Sequence, residues 1–315
     1  MGINHSVMEC SESTDFAHIK LKRDWLTSAS IEITPKQIMA GDPLIARLEK
    51  RKLVYIPFLP GQAIESLFDP CRVVLQYGLR PVPHLAARAF ASRHQLSDAL
   101  SEFAHIGVDT VLLIAGDLAE PAGPFANALD VLNTELLAEF GFRQIAVAGH
   151  PQGHPVAGSD DLLAALHAKQ TYAERTGAEM WIVTQFAFSA GPLVDWQARL
   201  AKNGVRLPID IGLPSPAKIR TLLSYALHCG VAASAKTLIK SPSALRLLGK
   251  WSPDGIIDEL AAHRAHVAEP QIRGLHVFPF GGVTTYLEWR RNLIAQYTAT
   301  LSQPVEIGDD YSVGG

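Results

Sequence analysis

Several polar side chains stand inside or directly after short apolar runs, where each is either a structural partner or a chemical group. Glu32 lies between Ile31 and Ile33 in SIEIT (30 to 34). A carboxylate there is either paired with an interior cation or raised in pKa by desolvation, and the raised form is a general acid usable near neutral pH. Asp117, in IAGDLAEP, follows Gly116, whose lack of a side chain lets a flat ligand approach the backbone; helix N-capping is its alternative role. Gln185, in WIVTQFAF, offers a paired donor and acceptor that suit the edge of a heterocycle. Left unpaired among apolar neighbours it would cost about 1 to 3 kcal/mol, so a ligand contact or a strand-to-strand hydrogen bond must satisfy it. His84 follows Pro83 in VPHLAA, a setting that suits a hydrogen-bonded core histidine as well as a site residue. His150 and His154 are four apart in GHPQGHP, but Pro151 and Gly153 make this a loop with no acidic residue at ligand spacing. That pattern fits a polar ligand or phosphate better than a metal. Thr184, Asp210 and His276 complete the polar set, and neither GxSxG nor a Walker sequence occurs.

The elements that must position these groups repeat along the chain. Eight apolar, β-branched runs occur: SIEIT (30 to 34), LVYIPF (53 to 58), RPVPHLAA (80 to 87), TVLLIAG (110 to 116), QIAVAGH (144 to 150), MWIVTQF (180 to 186), PIDIGL (208 to 213) and GLHVFPF (274 to 280). Between them, LSDALSEFAHIG, ANALDVLNTELLAEFG and DLLAALHAKQTYAERTG carry apolar residues at helical spacing and end in Gly. Nearly continuous apolar strands alternating with helices call for a parallel sheet buried on both faces. Eight repeats close a (β/α)8 TIM barrel; an open doubly wound sheet would show a glycine fingerprint after strand one, where PKQIMAGD stands. The interval from Leu213 to Gly274 is long, and AKIRTLLSYALHCG, SPSALRLLGKW and PDGIIDELAAHRAHV predict an extra helical segment before strand eight. The expected organisation is an arm over 1–28, one barrel domain over 29–300 and a tail over 301–315. In such a barrel, strand-end groups converge at the C-terminal mouth.

Composition narrows the partners. Of 315 residues 19% are charged, with 28 Lys plus Arg against 31 Asp plus Glu, a net charge of -3. No nucleic acid or anionic membrane is expected, since both demand a basic excess. Three cysteines, Cys10, Cys71 and Cys229, lack CxxC spacing, which fits a reducing compartment and argues against structural zinc. The N-terminal sequence has no basic start or apolar h-region and no run of about 18 apolar residues occurs, so a cytoplasmic location is expected. Gly2 followed by Ser6 matches only the bare myristoylation pattern, with no polybasic support.

Glu32 in IEITP, Pro83-His84-Leu85, Gly116-Asp117-Leu118, HPQGHP at 150 to 155 and Thr184-Gln185-Phe186 together resemble the methylenetetrahydrofolate reductase family in order and spacing, across roughly residues 30 to 290. The resemblance implies reduction of 5,10-methylenetetrahydrofolate to 5-methyltetrahydrofolate by hydride from NAD(P)H, through bound FAD, with Glu32 assisting the opening of the methylene bridge. It implies Asp117 near pterin and flavin, and folate contact by Gln185 and Thr184. It implies flavin contact by His84, Ala115, Gly116, Asp117, Phe125, Ala126, His150, His154 and Lys169. Ala115 stands where many relatives have Arg, Phe125 and His150 where they have Tyr, and LHAKQTYAERTGA departs from the family's helix. The lost donors weaken the grip on FAD. Direct hydride transfer without flavin, or a non-catalytic folate-binding subunit, is therefore the alternative. The strand-eight region lacks a basic residue for the folate tail, for which Arg88, Lys240 and Arg246 qualify on charge alone. The resemblance leaves room for a homo-oligomer.

Overall fold

The computed structural model describes residues 4–41, 45–59, 61–229, 231, 250–267 and 270–303. Eight parallel strands close a barrel: β1 (Ser30–Glu32), β2 (Leu53–Ile56), β3 (Arg80–Ala86), β4 (Thr110–Ile114), β5 (Gln144–Gly149), β6 (Glu179–Thr184), β7 (Ile209–Pro214) and β10 (Ile272–Phe278). Each expected apolar run overlaps one of them. The ring shuts where β1 pairs with β10, Ser30 opposite His276. Alternation along the strands separates two apolar layers. Ile31, Val54, Leu85, Val111, Val147, Ile182, Ile211 and Val277 face the surrounding helices, while Tyr55, Val82, Leu112, Ala146, Trp181 and Val183 fill the interior.

The helices are α1 (Asn4–Ser28), α2 (Pro35–Met39), α3 (Phe68–Gln76), α4 (Arg93–Ile106), α5 (Ala128–Leu132), α6 (Leu136–Glu139), α7 (Ser159–Thr176), α8 (Gly191–Lys202), α9 (Ile219–His228), α10 (Asp254–Ala265) and α11 (Val283–Leu301). Helix α4 stops at Gly107, whose φ of 98° terminates it as a left-handed cap. The single helix expected over 126–141 is instead the pair α5 and α6. Asn127 and Asp130 form a capping box that starts α5, and Glu135 at φ 61° breaks the run. Between β7 and β10, α9 and α10 supply the expected helical segment. A short antiparallel pair, β8 (Ala217–Lys218) with β9 (Lys250–Trp251), clasps its base.

The segment expected as an arm is helical from residue 4 and packs along α10 and α11. Trp25 and Leu26 are buried, and the end of α1 is fastened by two cations. Buried Arg290 donates through Nε to the Leu26 carbonyl at 2.7 Å and through Nη2 to that of Thr27 at 2.9 Å, and its Nη1 pairs with Glu49. Lys52 Nζ donates to the carbonyls of Ala29 at 2.7 Å and Thr27 at 3.1 Å. These bonds satisfy carbonyls that a helix terminus leaves without intrahelical donors. Among the described residues no helix is long and apolar enough to cross a membrane.

Candidate functional site

Strand alternation brings Ser30 and Glu32, His84, Gln185, and His276 with Phe278 to the inner face of the ring, toward its C-terminal mouth. Glu32 ends β1 with about 21% of its side chain exposed. Its nearest basic partner is His84 Nε2, 3.6 Å from Oε2, and no Lys or Arg ion pair reaches it among the described residues. Burial pushes the Glu32 carboxyl up to about 8 and holds the His84 imidazole down to about 3. The pair at neutral pH is therefore a protonated acid beside a neutral ring, not a salt bridge. Among the described residues no Lys or Arg takes the place of an interior ion-pair partner for Glu32.

Beneath them Tyr55 accepts a hydrogen bond from Trp181 Nε1 at 3.1 Å and presents its ring to both His84 and His276. His276 Nδ1 lies 2.9 Å from Ser30 Oγ, and burial, with His84 nearby, holds its imidazole down to about 3. Of this Tyr55–His276–Ser30 layer only His276 is named from sequence, and Tyr55 and Ser30 are missed. The signal available was the strand period: Ser30 and Glu32 share a face, as do His276 and Phe278.

Asp117 is exposed beyond the end of β4 and caps no helix. Its charge and that of Glu32 are both felt at Cys229, at the end of α9, where burial first and then the two carboxylates push the thiol up to about 11. Glu32 and Asp117 thus each lie near Cys229. Gly116 takes φ 92°, and a Cβ there would stand 2.9 Å from that of Ala86, so the loop into Asp117 requires glycine. Gln185 continues the inward alternation of Trp181 and Val183; its Oε1 accepts from the Phe186 amide at 3.1 Å. Thr184 faces the other way, buried, its Oγ1 accepting from the Gly212 amide at 2.8 Å. That bond ties β6 to β7. Phe186, Phe188, Phe278 and Phe280, with Tyr225 stacked 3.9 Å from Phe280, form an aromatic wall beneath α9.

A second space has none of Glu32, His84, Asp117 and Gln185 in its lining. A cavity of about 940 Å³ lies between the ends of β4 and β5, the 150–157 loop, α5, α7 and α8, and Ala115, Ala126, His150, His154 and Lys169 line it. Its size is that of a site for a large ligand. Lys169 is almost fully buried, and no described residue offers it an ion pair or hydrogen bond; burial holds its ammonium down to about 8. His150 and His154 meet edge to face at 4.8 Å, and His150 is held down to about 4, by burial first and then by His154 and Lys169. Asp160 and Asp161, in the first turn of α7, also line the cavity.

The remaining expectations separate. Phe125 is buried in the helix-facing core and His84 sits within the ring, so neither lines the cavity. Asp210 is at the start of β7, on the barrel floor, where Arg273 donates to it through Nε at 3.0 Å and Nη2 at 2.6 Å. Arg88, weighed for a ligand's acidic tail, donates to the carbonyls of Leu118 and Ala126 at 2.9 and 2.7 Å and braces the loop after β4. Lys240 and Arg246 lie outside the described residues.

The family model described as methylenetetrahydrofolate reductase matches residues 61–231. The 5,10-methylenetetrahydrofolate reductase of Pectobacterium carotovorum subsp. carotovorum is 30% identical over 157 residues, 49% of this chain and 50% of that protein. The match therefore spans about half the length of this curated relative. Among solved structures, an uncharacterized protein from Clostridium thermocellum that binds two copies of 5-methyl-5,6,7,8-tetrahydrofolic acid aligns with a TM-score of 0.53. The alignment covers 88% of this chain and 99% of that one at 10% identity, a likeness of fold.

Proposed function

Because this chain belongs to the methylenetetrahydrofolate reductase family, we propose that it reduces 5,10-methylenetetrahydrofolate to 5-methyltetrahydrofolate with hydride from NAD(P)H, by way of FAD, using Glu32 as general acid. The observation that carries this reading is a largely buried carboxyl at the mouth of the barrel that no Lys or Arg reaches among the described residues, so that burial pushes it up to about 8. Its proton goes to the bridging nitrogen N10 of the substrate. The N10–methylene bond breaks and leaves an iminium at N5, whose methylene carbon then takes the hydride. Asp117, an exposed carboxylate that like Glu32 lies near Cys229, stabilises the positive charge of that iminium through space. Gln185, its carbonyl engaged by Phe186, turns its amide NH2 to the pterin edge.

The lateral cavity fits the flavin: a buried, unpaired Lys169 is a partner for a phosphate, and His150 and His154 add polar edges beside it. Bound there, FAD would accept hydride from NAD(P)H and deliver it to the methylene carbon. Lys169→Met should weaken flavin binding by about 10- to 100-fold, the loss of one charge-assisted bond, as read by fluorescence titration; undiminished affinity would remove Lys169 from the cofactor site. Gln185→Ala should raise the Kd for the folate by about tenfold, near the value of one hydrogen bond, in a binding titration, and an unchanged Kd would leave Gln185 a structural residue.

Ala115 in the cavity wall, where many relatives have Arg, favours the second reading, transfer straight from nicotinamide to folate without a flavin, against Arg88, Lys169 and Arg199, which outnumber Asp160 and Asp161 in the same lining. Two measurements decide. NAD(P)H oxidation dependent on methylenetetrahydrofolate supports the reductase, and its absence with both nucleotides refutes it. Flavin absorbance in the purified active protein selects the first route, and activity without it selects the second. A cytoplasmic setting accords with both.

A further inference from the structure

The imidazole of His84 is shut inside the ring, and its Nε2 has no hydrogen-bond partner. The Glu32 carboxyl stands 3.6 Å from that nitrogen. Tyr55, held by Trp181, offers His84 a ring edge at 6.2 Å between centroids, while the other buried imidazole, His276, is already satisfied by Ser30. Through Nε2 the ring faces Glu32.

We propose that His84 is the positioning residue of the general acid, a neutral imidazole whose Nε2–H donates to Glu32 Oε2 and so leaves the acid's proton on the other carboxyl oxygen, aimed at the substrate nitrogen. The inference rests on Glu32 as the acid of the reaction above. The 3.6 Å separation is about half an ångström too long for a hydrogen bond, and bonds of this kind tighten when substrate closes a site. In the bonded state Glu32 carries its proton on Oε1 and His84 carries its own on Nε2, facing Oε2. When Glu32 delivers its proton to N10 of the substrate, a carboxylate remains, the imidazole is unchanged, and the next proton arrives from solvent through the exposed side of Glu32. No electrons move in this exchange. The titratable groups around the pair are Tyr55 from β2, His276 from β10, Asp117 after β4 and Cys229 at the end of α9. A buried orphan nitrogen carries a desolvation cost that a purely structural ring would avoid.

The test compares His84→Leu, which fills the space without a polar atom, with His84→Gln, which returns one near the Nε2 position. His84→Leu should lower kcat by about 10- to 100-fold and move the alkaline limb of its pH profile by about one unit or more, with KM for the folate within about twofold. His84→Gln should recover kcat to within about threefold of wild type. The Glu32 carboxyl is also titrated without turnover, by infrared difference spectra of wild type against Glu32→Gln, repeated in both His84 variants. A midpoint that moves in His84→Leu and returns in His84→Gln supports the proposal. An unmoved midpoint, wild-type turnover in His84→Leu, or a loss of kcat that tracks loss of bound flavin overturns it. If wild type reduces no folate, the proposed reaction fails, while the infrared titration still decides whether His84 governs the carboxyl.

Discussion

Glu32→Gln is expected to bind folate as the wild type does, turn over at least about a hundredfold more slowly, and unfold at a higher temperature. The two opposed effects have one origin. In the folded chain the carboxyl is pushed up to about 8 from an ordinary 4.5 by burial alone. Between those values the unfolded chain has released a proton that the folded chain keeps, so stability falls as pH rises from about 4.5 and levels off above about 8. Glutamine has no proton to release. At pH 5 the variant should match wild type closely, and by pH 7 it should be more stable by on the order of 1 to 3 kcal/mol, a shift of this size being discounted for the side chain's partial exposure. Wild-type turnover should decline above about pH 8 as the acid ionises. Urea melts at pH 5, 7 and 8 and initial rates over the same range check both halves. Parallel stability profiles would mean that the carboxyl is not held protonated, and near wild-type turnover would remove it from the reaction.

Arg290→Ala should be the most destabilising single change outside the barrel mouth, by roughly 3 to 5 kcal/mol. Its guanidinium is buried and joins three groups, the carbonyls of Leu26 and Thr27 and the Glu49 carboxylate. Removal leaves the end of α1 with carbonyls that only Lys52 still reaches, immediately before β1 begins. Arg290→Lys keeps the charge but loses the fork, and should recover only part of the difference. The urea midpoint measures the loss, and hydrogen exchange over α1 locates it. A cost below about 1 kcal/mol would show that α1 is held by packing of Trp25 and Leu26 alone.

The ring of strands was legible because each strand is buried on both faces and leaves an uninterrupted apolar run. Helix α1 was not: its sequence alternates charge and apolar residues without a wide apolar stripe, and its attachment depends on Arg290 and Lys52, distant in the chain. The break between α5 and α6 was hidden by continuous helical spacing, since Glu135 in a left-handed conformation carries no glycine to mark it. Position within a strand would have separated Asp210 from the mouth residues, because it stands near the beginning of its run and Gln185 just past the end of its own. Parity would have separated Thr184 from Gln185. The division between the inner mouth and the lateral cavity was not legible, because it arises from how α7 and α8 stand off from the ends of β4 and β5.

The seam where β1 meets β10 has a consequence for synthesis. As the nascent polypeptide leaves the ribosome, the acid emerges early, whereas the staves that flank it on the far side, carrying His276, arrive only after most of the translation is complete. Until then the first stave has one neighbour, and the carboxyl remains wetted and ordinary in acidity. A polypeptide released before that last stave would own every proposed reactive side chain and still lack the dry enclosure that makes one of them an acid.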